Sequence, residues 1–238
     1  MPEPSNVINF RKRQPEAAPI INLPVVVWLV AALIIAIHAG LELGGEPFQA
    51  WALYNFAFIP ARFGAVPFPQ AQGAAWWSMI TYGLLHANWT HVLLNALWLV
   101  VFSKPVHEFV GTVRYLAILV IGVFAGAVSI LATHWGSAGP LVGISAGVSA
   151  MLAAAIPLMY GRGKALSPRE LLTNRQAVIF TLVWLALTVF TASSQFISNE
   201  AFTGQNTIAW EAHIGGFVAG FIAFYALMPK VQSPVTYH

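Results

Sequence analysis

No charged residue interrupts this chain from Ala17 to Leu41, from Phe63 to Ser103, or from Tyr115 to Gly161. Stretches of that length have few physical outcomes. In a bilayer, about 20 apolar residues form a spanning helix that satisfies its own backbone groups. Charged residues make up 8% of the 238, against about 25% in a soluble domain, and the mean hydropathy is +0.71. Such a chain cannot cover itself against water on all sides. Lipid is the solvent for much of it, and the expected fold class is an all-α, polytopic membrane protein. There is no cysteine, which excludes disulfides, cysteine nucleophiles and thiolate metal sites. All eight acidic residues are glutamates, so no mechanism can rest on an aspartyl pair. The net charge of +3 comes from a few clustered residues and gives no footprint for nucleic acid.

The charge gaps place six spans, near Leu23–Ala39, Asn88–Phe102, Tyr115–Ala132, Ser145–Tyr160, Gln176–Phe190 and Ala212–Met228. The third and fourth are separated by the small, polar segment from His134 to Pro140. Ten of the eleven basic residues then fall on one side of the membrane, Arg62 being the exception. By the positive-inside rule both termini are cytoplasmic. Residues 1–20 read as a polar cytoplasmic tail, 21–230 as a compact six-helix core and 231–238 as a short cytoplasmic tail. The outer connection Leu41–Gly83 is rich in Trp, Tyr and Phe. It is expected to lie in the membrane interface, where such rings are favoured.

Spans two, four and six run from outside to inside, and each opens with costly polar groups. His91 and Asn95 on span two are spaced i,i+4 and share a helix face. Span four opens Gly143-Ile144-Ser145, and span six opens Ala212-His213. Intramembrane polar residues usually face the bundle interior and mark a path or site. Gly143/Gly147 and Gly216/Gly220 form small-xxx-small faces through which spans four and six are expected to pack. That packing would bring Ser145 to His213, a nucleophile beside its base. Neither Glu200 nor Glu211 is convincingly placed as a third member, so the reading is a Ser–His dyad. His91 and Asn95 can supply donors to an oxyanion.

Plainer readings exist for each residue. Ser145 alone is a common helix N-cap residue, and His213 alone an interhelical hydrogen-bonding group. His86 and His91 are poorly spaced for a metal, and no glutamate completes a zinc motif. His38 and His107 read as local hydrogen-bonding groups. No cofactor and no metal are expected.

The ordered set His86-xxxx-His91-xxx-Asn95, Gly143-Ile144-Ser145 and Ala212-His213-xx-Gly216-xxx-Gly220 closely resembles the rhomboid intramembrane serine proteases. The resemblance implies a six-helix rhomboid-like bundle, with Ser145 as nucleophile and His213 as general base. It implies that His91 and Asn95 stabilise the oxyanion and that His86 is a structural support, while the four glycines support the packing. Three positions depart from the family pattern. Ala146 stands where Gly is usual, Ser149 where Tyr is frequent, and Trp77-Ser78 where Trp-Arg is common. The expectation is an intramembrane serine endopeptidase that cleaves single-span or multi-span membrane proteins. It would act in a plasma membrane of bacterial type, with its site open to the extracytoplasmic side. The alternatives are an inactive relative that binds membrane segments, or a six-span transporter.

Overall fold

The computed structural model describes residues 23–193 and 209–229. The two tails and the basic residues Arg11, Lys12, Arg13 and Lys230 lie outside them, as does Glu200. Among these residues eight α-helices follow in order: α1 Val25–Phe56, α2 Ala74–Thr81, α3 Trp89–Val110, α4 Thr112–Thr133, α5 Ser145–Met159, α6 Pro168–Thr173, α7 Arg175–Ser193 and α8 Trp210–Leu227. Among the described residues there is no strand, only an isolated bridge between Phe58 and Leu141.

Each apolar segment expected to span is helical. By length and composition, α1, α3, α4 and α8 are long enough to cross a membrane, while Ser145–Met159 and Arg175–Phe190 are shorter apolar helices. The protein is therefore a multi-pass membrane bundle. The first helix runs beyond the expected end at Ala39, to Phe56, with a break at Gly45 (φ 71°, ψ −176°) followed by Pro47. Glycine adopts that backbone without steric cost, and proline withholds an N–H, so the chain bends there instead of stopping. Beyond the bend Phe48, Trp51 and Tyr54 stay exposed, with Phe48 and Trp51 stacked at 5.3 Å. The aromatic outer connection is thus partly helical.

Arg62, the basic residue that broke the one-sided charge pattern, is buried and locally employed. Its guanidinium donates to the carbonyls of Ala57 (2.7 Å) and Tyr54 (2.5 Å). A cation on the carbonyls at a helix C-terminus satisfies orphan acceptors and complements the dipole.

Helix α5 is the centre of the bundle, packed by α3, α4 and α8, and every residue from Ala146 to Pro157 is buried. Its small side chains explain the tightness. A Cβ on Gly126 or Gly216 would collide with Ala146, and one on Gly122 or Gly220 with Ala150. Two alanines of α5 are therefore each clamped between a glycine of α4 and a glycine of α8. This corrects the expected packing face. Gly216 and Gly220 meet Ala146 and Ala150, not Gly143 and Gly147. Gly147 faces Leu119 and Val123 of α4, and Gly143 is not helical at all (φ 110°). Small residues on both sides let backbones close in, which is how helices gain contact energy in lipid.

Candidate active site

The close approach of α5 and α8 fixes what meets at their starts. Ala146 and Gly216 are one and three residues beyond Ser145 and His213, so their backbone contact brings both side chains to the same level. His213 Nε2 lies 2.8 Å from Ser145 Oγ. With the neutral ring protonated at Nδ1, the serine hydroxyl donates to Nε2, the arrangement in which a base can take its proton. Ser145 is the first residue of α5, and Ile144 before it supplies no side-chain cap. The N–H groups and dipole of that first turn therefore favour negative charge beside the hydroxyl.

The opposite wall comes from α3. Asn88 caps this helix, its Oδ1 accepting from the His91 N–H at 2.8 Å. The Ala87 N–H donates to His91 Nδ1 at 3.4 Å. That bond leaves Nε2 as the protonated nitrogen, because a neutral imidazole carries one N–H. A methyl group on Gly143 would lie 2.8 Å from His91 Nε2 and 3.8 Å from Asn95 Nδ2. Both potential donors thus converge on the backbone two residues before Ser145. Gly143 is needed there twice over, for its left-handed φ and for the space its missing side chain leaves. His86 is buried and lies edge-on to His91, with ring centroids 5.1 Å apart.

Several residues that position this wall went unnoticed in the sequence. The Tyr82 carbonyl accepts from the Gly143 N–H at 3.0 Å, and its buried hydroxyl donates to the Val123 carbonyl at 2.7 Å. Phe58 and Leu141 exchange two backbone hydrogen bonds, and the Ala61 N–H reaches the Ser137 carbonyl at 2.8 Å. The first outer connection is therefore stitched to the segment that leads into Ser145. A polar-tipped ring within the mostly apolar run from Met79 to Leu85 is the one signal the sequence carried for this. Glu211 lies in the first turn of α8 with its carboxylate 3.8 Å from His134 Nε2, an ion pair when that ring is charged. His107 Nε2 is 2.9 Å from Thr112 Oγ1, a local bond as expected. His38 departs from expectation, because both ring nitrogens are buried without a hydrogen-bond partner among the described residues. Nor do the described residues contain a cluster of three His or Glu side chains spaced to hold a metal.

The Rhomboid domain family matches residues 73–230, which include Ser145, His213, His91, Asn95 and Gly143. The chain belongs to the rhomboid family. It is similar to the rhomboid protease GlpG of Pectobacterium atrosepticum, 27% identical over 164 residues, which cover 68% of this chain and 53% of that protein. It is also similar to the rhomboid protease GlpG of Photorhabdus laumondii, 24% identical over 147 residues, or 61% of this chain and 45% of that protein. The chain spans about half the length of these curated relatives.

The structure accounts for the three departures from the rhomboid pattern. Ala146 fills the space between Gly126 and Gly216, so its methyl group is a packing element. Ser149 Oγ donates to the Ser145 carbonyl at 2.9 Å, which ties it to its own helix. Ser78 is buried and bonds the Ala75 carbonyl, while the loop is anchored by Trp77 Nε1 on the Asn55 carbonyl at 2.7 Å. Thr81 Oγ1 adds a bond to the Phe56 carbonyl at 3.0 Å.

The placement of His91 and Asn95 beside Gly143 as candidate oxyanion donors predicts graded losses. His91→Ala and Asn95→Ala should each lower the initial cleavage rate by up to about 10²–10³-fold and leave measurable activity. His86→Ala should lower the melting temperature together with the rate, since its ring is part of the support. Purified variants compared by rate and by thermal melting check both.

Proposed function

We propose that this rhomboid-family chain is an intramembrane serine endopeptidase that hydrolyses peptide bonds in or near the membrane helices of other proteins. The observation that carries the reading is the 2.8 Å contact between Ser145 Oγ and His213 Nε2 at the start of two tightly packed helices. In this reading His213 takes the serine proton as the hydroxyl oxygen attacks the scissile carbonyl. The oxyanion forms beside Gly143, where His91 Nε2–H, the Asn95 amide and the first N–H groups of α5 can donate to it. His213 then passes its proton to the leaving amine, and water enters to release the acyl group from Ser145.

The depth of the site follows from helix length. At about 1.5 Å per residue, the 15 residues of α5 rise only about 22 Å, less than the ~30 Å hydrocarbon core. If its inner end meets the cytoplasmic interface, Ser145 lies below the outer surface, and the irregular segment before it lines a wet recess. Such backbone is tolerated at membrane depth only in that setting. Buried, apolar residues from Ala150 to Pro157 continue inward from the site, which favours a site open to one face over a transport path. The positive-inside rule puts that face outside the cytoplasm, in a bacterial plasma membrane by analogy with the relatives.

Purified protein incubated with a single-span membrane substrate, beside Ser145→Ala, tests the proposal. Wild type should cleave and should be labelled by a serine-directed fluorophosphonate; the variant should do neither. Chelators should change nothing, and the rate should rise with pH as the imidazole loses its proton. Loss of activity with a zinc chelator, restored by zinc, would overturn the dyad. An inactive relative that only binds membrane segments would show no labelling.

Substrate is proposed to enter between α3 and α7. Both expose broad apolar surfaces, including Leu93, Leu97 and Trp98 on α3 and Leu182, Val183 and Leu187 on α7. The outer connection Leu41–Gly83 and the segment Thr191–Trp210 are proposed as the cover of this entry, and residues 194–208 of that segment lie outside the described residues. Because the chain has no cysteine, cysteines introduced on α3 and α7 would be the only thiols available to a bifunctional crosslinking reagent. That crosslink should slow cleavage of a membrane substrate, and an unchanged rate under a verified crosslink would reject this entry.

A further inference from the structure

His38 has no place in the chemistry above. It sits in α1, before the matched rhomboid region, and is the one ionisable residue among the apolar positions from Val25 to Leu41. Only 2% of it is exposed. An imidazole buried in such surroundings costs free energy unless something bonds to it. Its ring lies edge-on to Trp89, the first residue of α3, with centroids 4.8 Å apart. With His86 it also lines a small cavity between α1 and the start of α3, with room for about one water molecule. Glu42 and Gln49 form the polar side of that cavity, and the Gln49 amide is held by donating to Glu42 Oε1 at 3.2 Å.

We propose that His38 is a positioning residue for the oxyanion wall, acting through one water held between it and His86. A water held in a small cavity needs two or more polar partners, and the buried, otherwise unpartnered ring nitrogens of His38 and His86 in its lining can supply them. Bonded in this way, His86 is fixed in tautomer and ring plane. Its edge-on contact with His91, 5.1 Å between centroids, then holds the His91 ring with Nε2 at Gly143. The proposed water would thus join His38 of the first helix to His86, whose ring contact with His91 leads to the oxyanion donor. The inference rests on the reading of His91 as that donor.

The test compares the purified full chain with His38→Phe, which keeps a ring against Trp89 and removes both nitrogens. His38→Gln and His38→Asn restore a polar group near one nitrogen or the other. His38→Met is a second apolar variant, so that a folding defect of the phenyl ring does not decide the result. The apolar variants should melt close to wild type, lose about 10- to 100-fold in kcat with KM unchanged, and be rescued by one of the amides. The ¹⁵N resonances of the His86 and His91 rings should also move in the apolar variants. Full kcat in a folded apolar variant would overturn the proposal. So would losses that track melting temperature with no rescue, or unmoved His86 and His91 resonances. If wild type and Ser145→Ala behaved alike towards substrate and fluorophosphonate, the protease reading would fall. The ring resonances would still decide whether His38 sets the two histidines.

Discussion

Replacing Ser145 with alanine should lower cleavage by about 10⁴-fold or more, and His213→Ala should do the same. The double variant should be no slower than either single one. The reason lies in the shared hydrogen bond of 2.8 Å. A hydroxyl without its base is a poor nucleophile, and a base without the hydroxyl has nothing to activate, so each substitution removes the whole unit. Initial rates on a single-span substrate, measured beside melting temperatures, give the answer. Multiplicative losses in the double variant would show that the two side chains act independently and would remove the dyad. Conversion of His213 to glutamine, which keeps a polar side chain of similar size, should rescue nothing, because an amide does not accept a proton at neutral pH.

Gly216→Val should do comparable damage by a different route. A Cβ there runs into the backbone of Ala146, and one on Gly220 into the backbone of Ala150. A flexible side chain can step aside; a helix backbone moves only if α5 and α8 separate. Overpacking typically costs about 1–3 kcal/mol where side chains can rearrange, so a cost of about 3 kcal/mol or more is expected here. Separation would also break the Ser145–His213 contact, so activity should fall further than stability does. The control is Gly40→Ala in α1, where nothing lies within 4 Å of the new methyl group. It should be neutral or stabilising by up to about 1 kcal/mol, since alanine loses less backbone freedom in a helix. Thermal melting and cleavage rates of the two variants beside wild type separate these outcomes. A Gly216→Val protein with wild-type melting and rate would show that α5 and α8 are not clamped through this pair.

The amino-acid sequence by itself determined the solvent, the helices and the candidate chemistry. Charge gaps and apolar length are properties of a segment and its environment, and they need no knowledge of neighbours. Polar residues at the starts of three apolar segments stood out because lipid makes them costly. What only the tertiary structure decided is which surfaces touch. The glycine pattern announced close packing without naming its partner. Gly216 and Gly220 chose Ala146 and Ala150, while Gly143, outside any helix, serves the His91 ring instead. Nor did any local pattern reveal that Arg62 holds the end of α1, that Tyr82 anchors Gly143, or that Phe58 pairs with Leu141. Arg62 reaches main-chain carbonyls only five and eight residues back, while the Tyr82–Gly143 and Phe58–Leu141 bonds join positions far apart in the chain. All of them end on carbonyl or amide groups that residues carry alike, so side-chain identity leaves the pairing unmarked until the chain is folded.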